Sequence, residues 1–151
     1  MSSYRLTVLA CLTLSLARSA TANIVHETIA GPVAAEIVRV IDGDTILVDA
    51  SPWPQQTIEV YVRLRGIDAP ELHSTCAAVR EEAERAQAAL EEIMPATGEV
   101  QLTRISGDKY FGRILADVTT ADGRNPAETL LAAGHAVAYY GGRKPAEACP
   151  D

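Results

Sequence analysis

A chain of 151 residues, 48% hydrophobic and 22% charged, has room for one ordinary domain and the composition of a folded globule, which excludes a disordered or fibrous chain. Its formal charge of −7 argues against gripping a polyanion by bulk charge, so any phosphate chemistry has to rest on a few placed cations. Five Tyr, one Phe and one Trp are also few for a single-strand binder built mainly on stacking.

Residues 1–22 read as an export signal rather than as fold. Arg5 supplies a short positive start, Leu6–Ala17 is apolar apart from Thr7, Thr13 and Ser15, and Ala20-Thr21-Ala22 is a cleavage site of small residues. The apolar run is too short for a bilayer span, which takes roughly 20 residues. Cleavage after Ala22 removes Arg5 and Arg18 and no acid, so the remaining domain, residues 23–151, is more negative still. It also leaves Cys76 and Cys149, an even pair that an oxidising compartment would join. Such a bridge closes a loop of about 73 residues, worth about 4 kcal/mol in the loop-entropy account.

In chain order, Ala35–Ile41 and Thr45–Asp49 are β-rich and flank Asp42-Gly43-Asp44, a hairpin-turn signal. Ser51-Pro52-Trp53-Pro54 is a breaker cluster and predicts a loop, with Trp53 packing within it. Gln56–Arg65 alternates, with Ile58, Val60, Val62 and Leu64 on one face and Arg63 and Arg65 on the other. That predicts a half-buried strand with Arg65 at the surface, ended by Gly66–Pro70. Thr75–Met94 has helical period: Val79, Ala83, Ala86, Leu90 and Ile93 make one apolar stripe. Glu81 and Arg85 are an i,i+4 pair on its solvated side, and Pro95 and Gly98 close it. Glu99–Ile105 and Ile114–Thr119 read as strands around a turn at Ser106-Gly107-Asp108. Pro126–Ala133 is a short helix ended by Gly134, Ala136–Tyr140 a last strand, and the segment from Gly141 onward irregular. This mainly-β order with helices fits a small Greek-key barrel of the OB-fold type, among several small β topologies the pattern allows.

Chemistry-bearing residues gather at three strand ends: Asp42 to Thr45, Arg63 to Glu71, and Asp108 to Arg113. Singly, these are a turn, a strand exit and a solvated cation. Together they put carboxylates and guanidinium groups on loops that one barrel can bring together. Two carboxylates and a carbonyl suit a hard cation such as Ca²⁺. A planar guanidinium fork suits a phosphate, and a further carboxylate can activate water. Those are the parts needed to hydrolyse a phosphodiester. His26, His73 and His135 are not spaced as a metal set. Tyr139 and Tyr140 offer a stacking surface for a base.

The runs VIDGDTILV, VRLRGIDAPE, DKYFGRILADV and ETLLAAGHAVAY, in that order from Val40 onward, resemble the staphylococcal nuclease-like (thermonuclease) family. The resemblance implies a five-stranded barrel and Ca²⁺-dependent cleavage of DNA and/or RNA. It implies that Asp44, Asp68 and the backbone carbonyl of Ala69 bind Ca²⁺, and that Glu71 is the general base. It further implies that Arg63 and Arg113 hold the scissile phosphate and that Lys109 and Tyr110 contact a terminal one. Tyr140 is expected to be the substrate-binding member of the tyrosine pair, with the other packing in the core. Two departures bear on the site: Ala69 stands where Thr is common, and Phe111 is an extra residue between Tyr110 and Gly112. The leading expectation is an exported, monomeric, Ca²⁺-dependent nuclease, free of the membrane after cleavage. The alternative is a catalytically silent OB-fold module that binds nucleic acid.

Overall fold

Two hairpins build half of a barrel. Strand β1 (Val33–Val40) turns through Asp42-Gly43-Asp44 into β2 (Thr45–Trp53), and β2 turns at Pro54-Gln55 into β3 (Gln56–Leu64), both pairings antiparallel. The chain then makes a two-residue strand β4 (Ile67–Asp68), the helix α1 (Ala77–Ile93), and strands β5 (Glu99–Gly107) and β6 (Arg113–Thr120). It ends in helix α2 (Pro126–Ala133) and the short β7 (Val137–Ala138), which pairs with β4. Strand β6 runs parallel to β3, while β5 is antiparallel to both β6 and β1. The order β1-β2-β3-β6-β5 therefore closes on itself, as a five-stranded Greek-key OB barrel does. This computed structural model describes residues 28–94 and 98–142, with Lys144 and Cys149. The export signal over residues 1–22, His26 and Pro95 lie outside the described residues.

Period 2 fills the barrel and period 3.6 covers its end. Val33, Ala35 and Ile37 of β1, Ile46, Val48 and Ala50 of β2, and Val100 and Leu102 of β5 all point inward and are buried. All five stripe residues of α1 are buried, with Ala86, Leu90 and Ile93 in the main core. The helix starts at Cys76, whose thiol is bonded to Cys149 as the cysteine count predicts. Helix α2 has the boundaries read from sequence. Asn125 caps it by accepting from the Ala127 and Glu128 amides, Pro126 opens it, and Gly134 leaves it at φ 75°.

Several local readings are corrected. Ser51-Pro52-Trp53 is strand, not loop: β2 continues past an irregularity after Ala50, and Trp53 pairs with Gln56 across the turn. Pro52 is tolerated there because strand irregularities release an amide from the ladder. The first half of β3 projects beyond the barrel, so Ile58 is exposed rather than buried. The turn after β5 falls later than expected, over 108–112, because Ser106 and Gly107 still pair with Leu115 and Ile114. The last strand shrinks to Val137–Ala138, limited by the two residues of β4 it can pair with. Glu81 and Arg85 form no ion pair. Arg80 instead donates to the Ser74 carbonyl ahead of the helix.

Candidate active site

The first wall of the site grows from the β1–β2 turn. Gly43 lets that turn press against the helix: a Cβ there would lie 2.7 Å from the Cβ atoms of both Ala69 and Ala86. The neighbouring Asp44 is consequently pushed inward, with only 3% of its surface exposed. Its amide donates to Asp42 Oδ1 at 2.9 Å, which fixes the turn. Asp44 Oδ1 accepts from Arg63 Nη1 at 2.7 Å and from Thr45 Oγ1 at 2.9 Å, and Oδ2 accepts from the Ala69 amide at 3.0 Å. Burial lifts its pKa to about 6, against the pull of Arg63 and with a push from Asp42.

Arg63 joins that wall to the next. Its Nη2 donates to Asp68 Oδ1 at 2.5 Å, so one guanidinium bridges both acids. Burial works against its charge, but Asp44 and then Asp68 outweigh it and raise its pKa further. Asp68 is held in place by β4, where it pairs with Val137 of β7. Three residues on, Glu71 stands on the cleft rim with its side chain 59% exposed. Lys144, arriving from the tail, lies 2.7 Å from both Asp68 Oδ1 and Glu71 Oε1. Sequence reasoning missed Lys144. Its only signal was its place five residues before a cysteine bonded to the head of α1.

The opposite wall comes from the β5–β6 turn. Arg113 is held through Nε by Asp108, and both Arg113 and Lys109 lie over the Tyr110 ring, at 4.8 and 4.9 Å from its centroid. The extra residue Phe111 is accommodated at the tip, fully exposed, and leaves the Arg113–Asp108 pair intact. Tyr140 is 89% exposed, while Tyr139 is partly covered and donates to the Gly142 carbonyl at 2.7 Å. Arg65 is not the surface residue expected. It is half-buried, and its Nη2 donates to the carbonyls of Arg104 and Leu115 and to Ser106 Oγ. Arg65 reaches these groups because Arg63 pairs with Leu115, which itself pairs with Ser106. Exposed His73 and partly covered His135 are absent from the cleft lining.

Between the walls lies a cleft of about 770 Å³, and six of the chain's 13 basic residues line it: Arg63, Arg65, Arg104, Lys109, Arg113 and Lys144. It holds Asp44, Ala69, Glu71, Tyr110 and Tyr140 as well, so the three strand ends do converge. The chain matches the family described as staphylococcal nuclease homologue over residues 61–149, more than half its length. It belongs to that family. No curated protein matches the chain. Membership explains the barrel and carries an expectation of nuclease chemistry on a nucleic-acid substrate. Among the described residues no helix is long and apolar enough to cross a membrane.

Among the described residues no three His, Cys, Asp or Glu side chains gather to hold a metal. Two carboxylates nevertheless converge on one guanidinium, and one of them, Asp44, is buried. Asp44, Asp68 and Glu71 outnumber Arg63 and Lys144, the cations that touch them, leaving one net negative charge that favours a further cation. Hard oxygen donors of this kind fit Ca²⁺.

Proposed function

We propose that the protein is an exported, Ca²⁺-dependent nuclease that hydrolyses phosphodiester bonds of DNA and/or RNA. The observation that carries this reading is the bridge Asp44–Arg63–Asp68, two carboxylates brought onto one guanidinium at a cleft lined by six cations. Asp44, Asp68 and the carbonyl of Ala69 would hold the metal, which supplies positive charge at the phosphate when bound. Arg113 offers the outer edge of its guanidinium to one non-bridging oxygen, and Arg63, whose two Nη atoms bridge Asp44 and Asp68, would turn to the other once a metal held those acids; negative charge builds on both oxygens in the transition state. Glu71 accepts a proton from water as the water oxygen bonds to phosphorus. The bond from phosphorus to the leaving sugar oxygen breaks, and that oxygen takes a proton from solvent. Lys109 and Tyr110 would meet a neighbouring phosphate, and Tyr140 would stack on a base.

Export is supported by the Arg5–Ala22 pattern and by the Cys76–Cys149 bridge, a bond of oxidising compartments. The deciding experiment digests plasmid DNA and RNA with the purified protein in Ca²⁺ and then with chelator. Cleavage that chelator abolishes is the expected result. Tight binding without cleavage in Ca²⁺ would replace this reading with that of a silent binding module.

A further inference from the structure

The geometry points to a second phosphate site in the cleft, formed by Arg104 and Arg65 and taking a non-reacting phosphodiester of the same polynucleotide strand. This inference rests on the nuclease reading and deepens it. Arg104 lines the cleft with its side chain 70% exposed. Its Nε is bonded to Asp117, while its terminal nitrogens have no hydrogen-bond partner among the described residues. Arg113 is held by Asp108 in the same way, through Nε, which leaves the outer edge of the guanidinium to a ligand. Each is a fork locked from behind by an acid, an arrangement that spares a bidentate phosphate contact its ordering cost.

Two more observations agree. Asp117 faces two arginines, since Arg65 Nε lies 3.7 Å from its Oδ1, so the cluster carries one net positive charge. That Arg65 Nε is also buried with no hydrogen-bond partner, so the acid does not saturate the pair. Arg104 itself has φ 48° at an irregularity in β5, a conformation that favours glycine. A long charged side chain held there against local strain is the kind of feature found at binding sites. The register sets Arg63 of β3, Leu115 of β6 and Ser106 of β5 side by side, and adjacent strands are about 4.8 Å apart. Arg104 therefore stands beyond the Arg63–Arg113 pair, across the sheet from the scissile position, where the continuing strand would pass.

The test is binding of a fluorescein-labelled single-stranded oligonucleotide, followed by anisotropy in chelator across a salt series. Arg104→Gly removes the fork and suits the positive φ, so the variant keeps its fold, which a circular-dichroism melt verifies. It should weaken binding several-fold on every sequence and make the slope of log K against log salt shallower by about 0.7, the loss of one single-strand phosphate contact. Arg104→Lys should restore the slope but not all of the affinity. Arg124→Ala, which removes a surface arginine paired with Asp122 away from the cleft, should leave the slope alone. An unchanged slope in Arg104→Gly, or wild-type protein that binds no oligonucleotide, overturns the site. If binding behaves as stated but Ca²⁺ supports no hydrolysis, the second phosphate site stands and the nuclease reading falls.

Discussion

Two carboxylates with different surroundings are assigned different tasks, and substitution separates them. Glu71 is exposed and proposed to act on water, so Glu71→Gln should lower kcat by about 10²–10⁴ at saturating Ca²⁺ with KM little changed. Recovery of full kcat at high Ca²⁺ would make Glu71 a metal ligand instead. Asp44 is buried, and its pKa of about 6 lies above the 3.8 usual for an aspartate in water. The folded state then holds this proton more tightly than the unfolded chain does. In chelator, the contribution of Asp44 is most favourable below pH 3.8 and is lost as pH rises through about 6, at a cost on the order of 2–3 kcal/mol by pH 7. Urea unfolding of wild type and Asp44→Asn at pH 4 and pH 7 reads this directly. The variant should lack most of the decline between the two pH values.

At the scale of elements, legibility followed periodicity. The α1 stripe and the whole of α2 could be read because apolar spacing, Pro and Gly mark them locally. The convergence of the Asp-Gly-Asp and Asp-Ala-Pro-Glu segments on one cleft could be expected because both stand at strand ends that one barrel brings together. Arg65 and Lys144 could not, since their partners come from β5, β6 and the β4–α1 loop, contacts that no local pattern encodes. Strand β2 was misread at Pro52 because a breaker residue says nothing about an irregularity opposite it. The same logic gives a prediction at the helix–turn contact. Gly43→Ala places a methyl against two other methyl groups, neither able to swing away. It should destabilise by about 1–3 kcal/mol and raise the Ca²⁺ needed for cleavage, since the turn carries Asp44. A thermal melt paired with a Ca²⁺ titration checks both parts.

Over the whole molecule, the Cys76–Cys149 bond ties the head of α1 to the tail that brings Lys144 to Asp68 and Glu71. It spans 73 residues, including β5, β6 and α2, so reducing it should cost about 4 kcal/mol through the freed unfolded chain. Urea unfolding with and without a phosphine reductant measures that loss. A midpoint unmoved by reduction would mean that the bond contributes little to stability. The intact protein should also show no alkylatable thiol at either position by mass spectrometry.

The cleft gathers six cations while the outer face of α1 exposes Glu81, Glu82, Glu84, Glu91 and Glu92, within a chain of formal charge −7. Such a body meets a nucleic acid productively in one orientation and is pushed away in the others. Repulsion of this kind acts over about a Debye length, near 8 Å at physiological salt. A homogeneously basic protein can stay on the strand by rolling and hopping after a cut, but here the exposed acids of α1 outnumber its exposed Arg80 and Arg85. Cleavage should accordingly be distributive. In a time course on end-labelled DNA with substrate in excess, every molecule should shorten gradually together. Full-length strands coexisting with short limit fragments from the earliest times would instead reveal a protein that travels along its substrate between cuts.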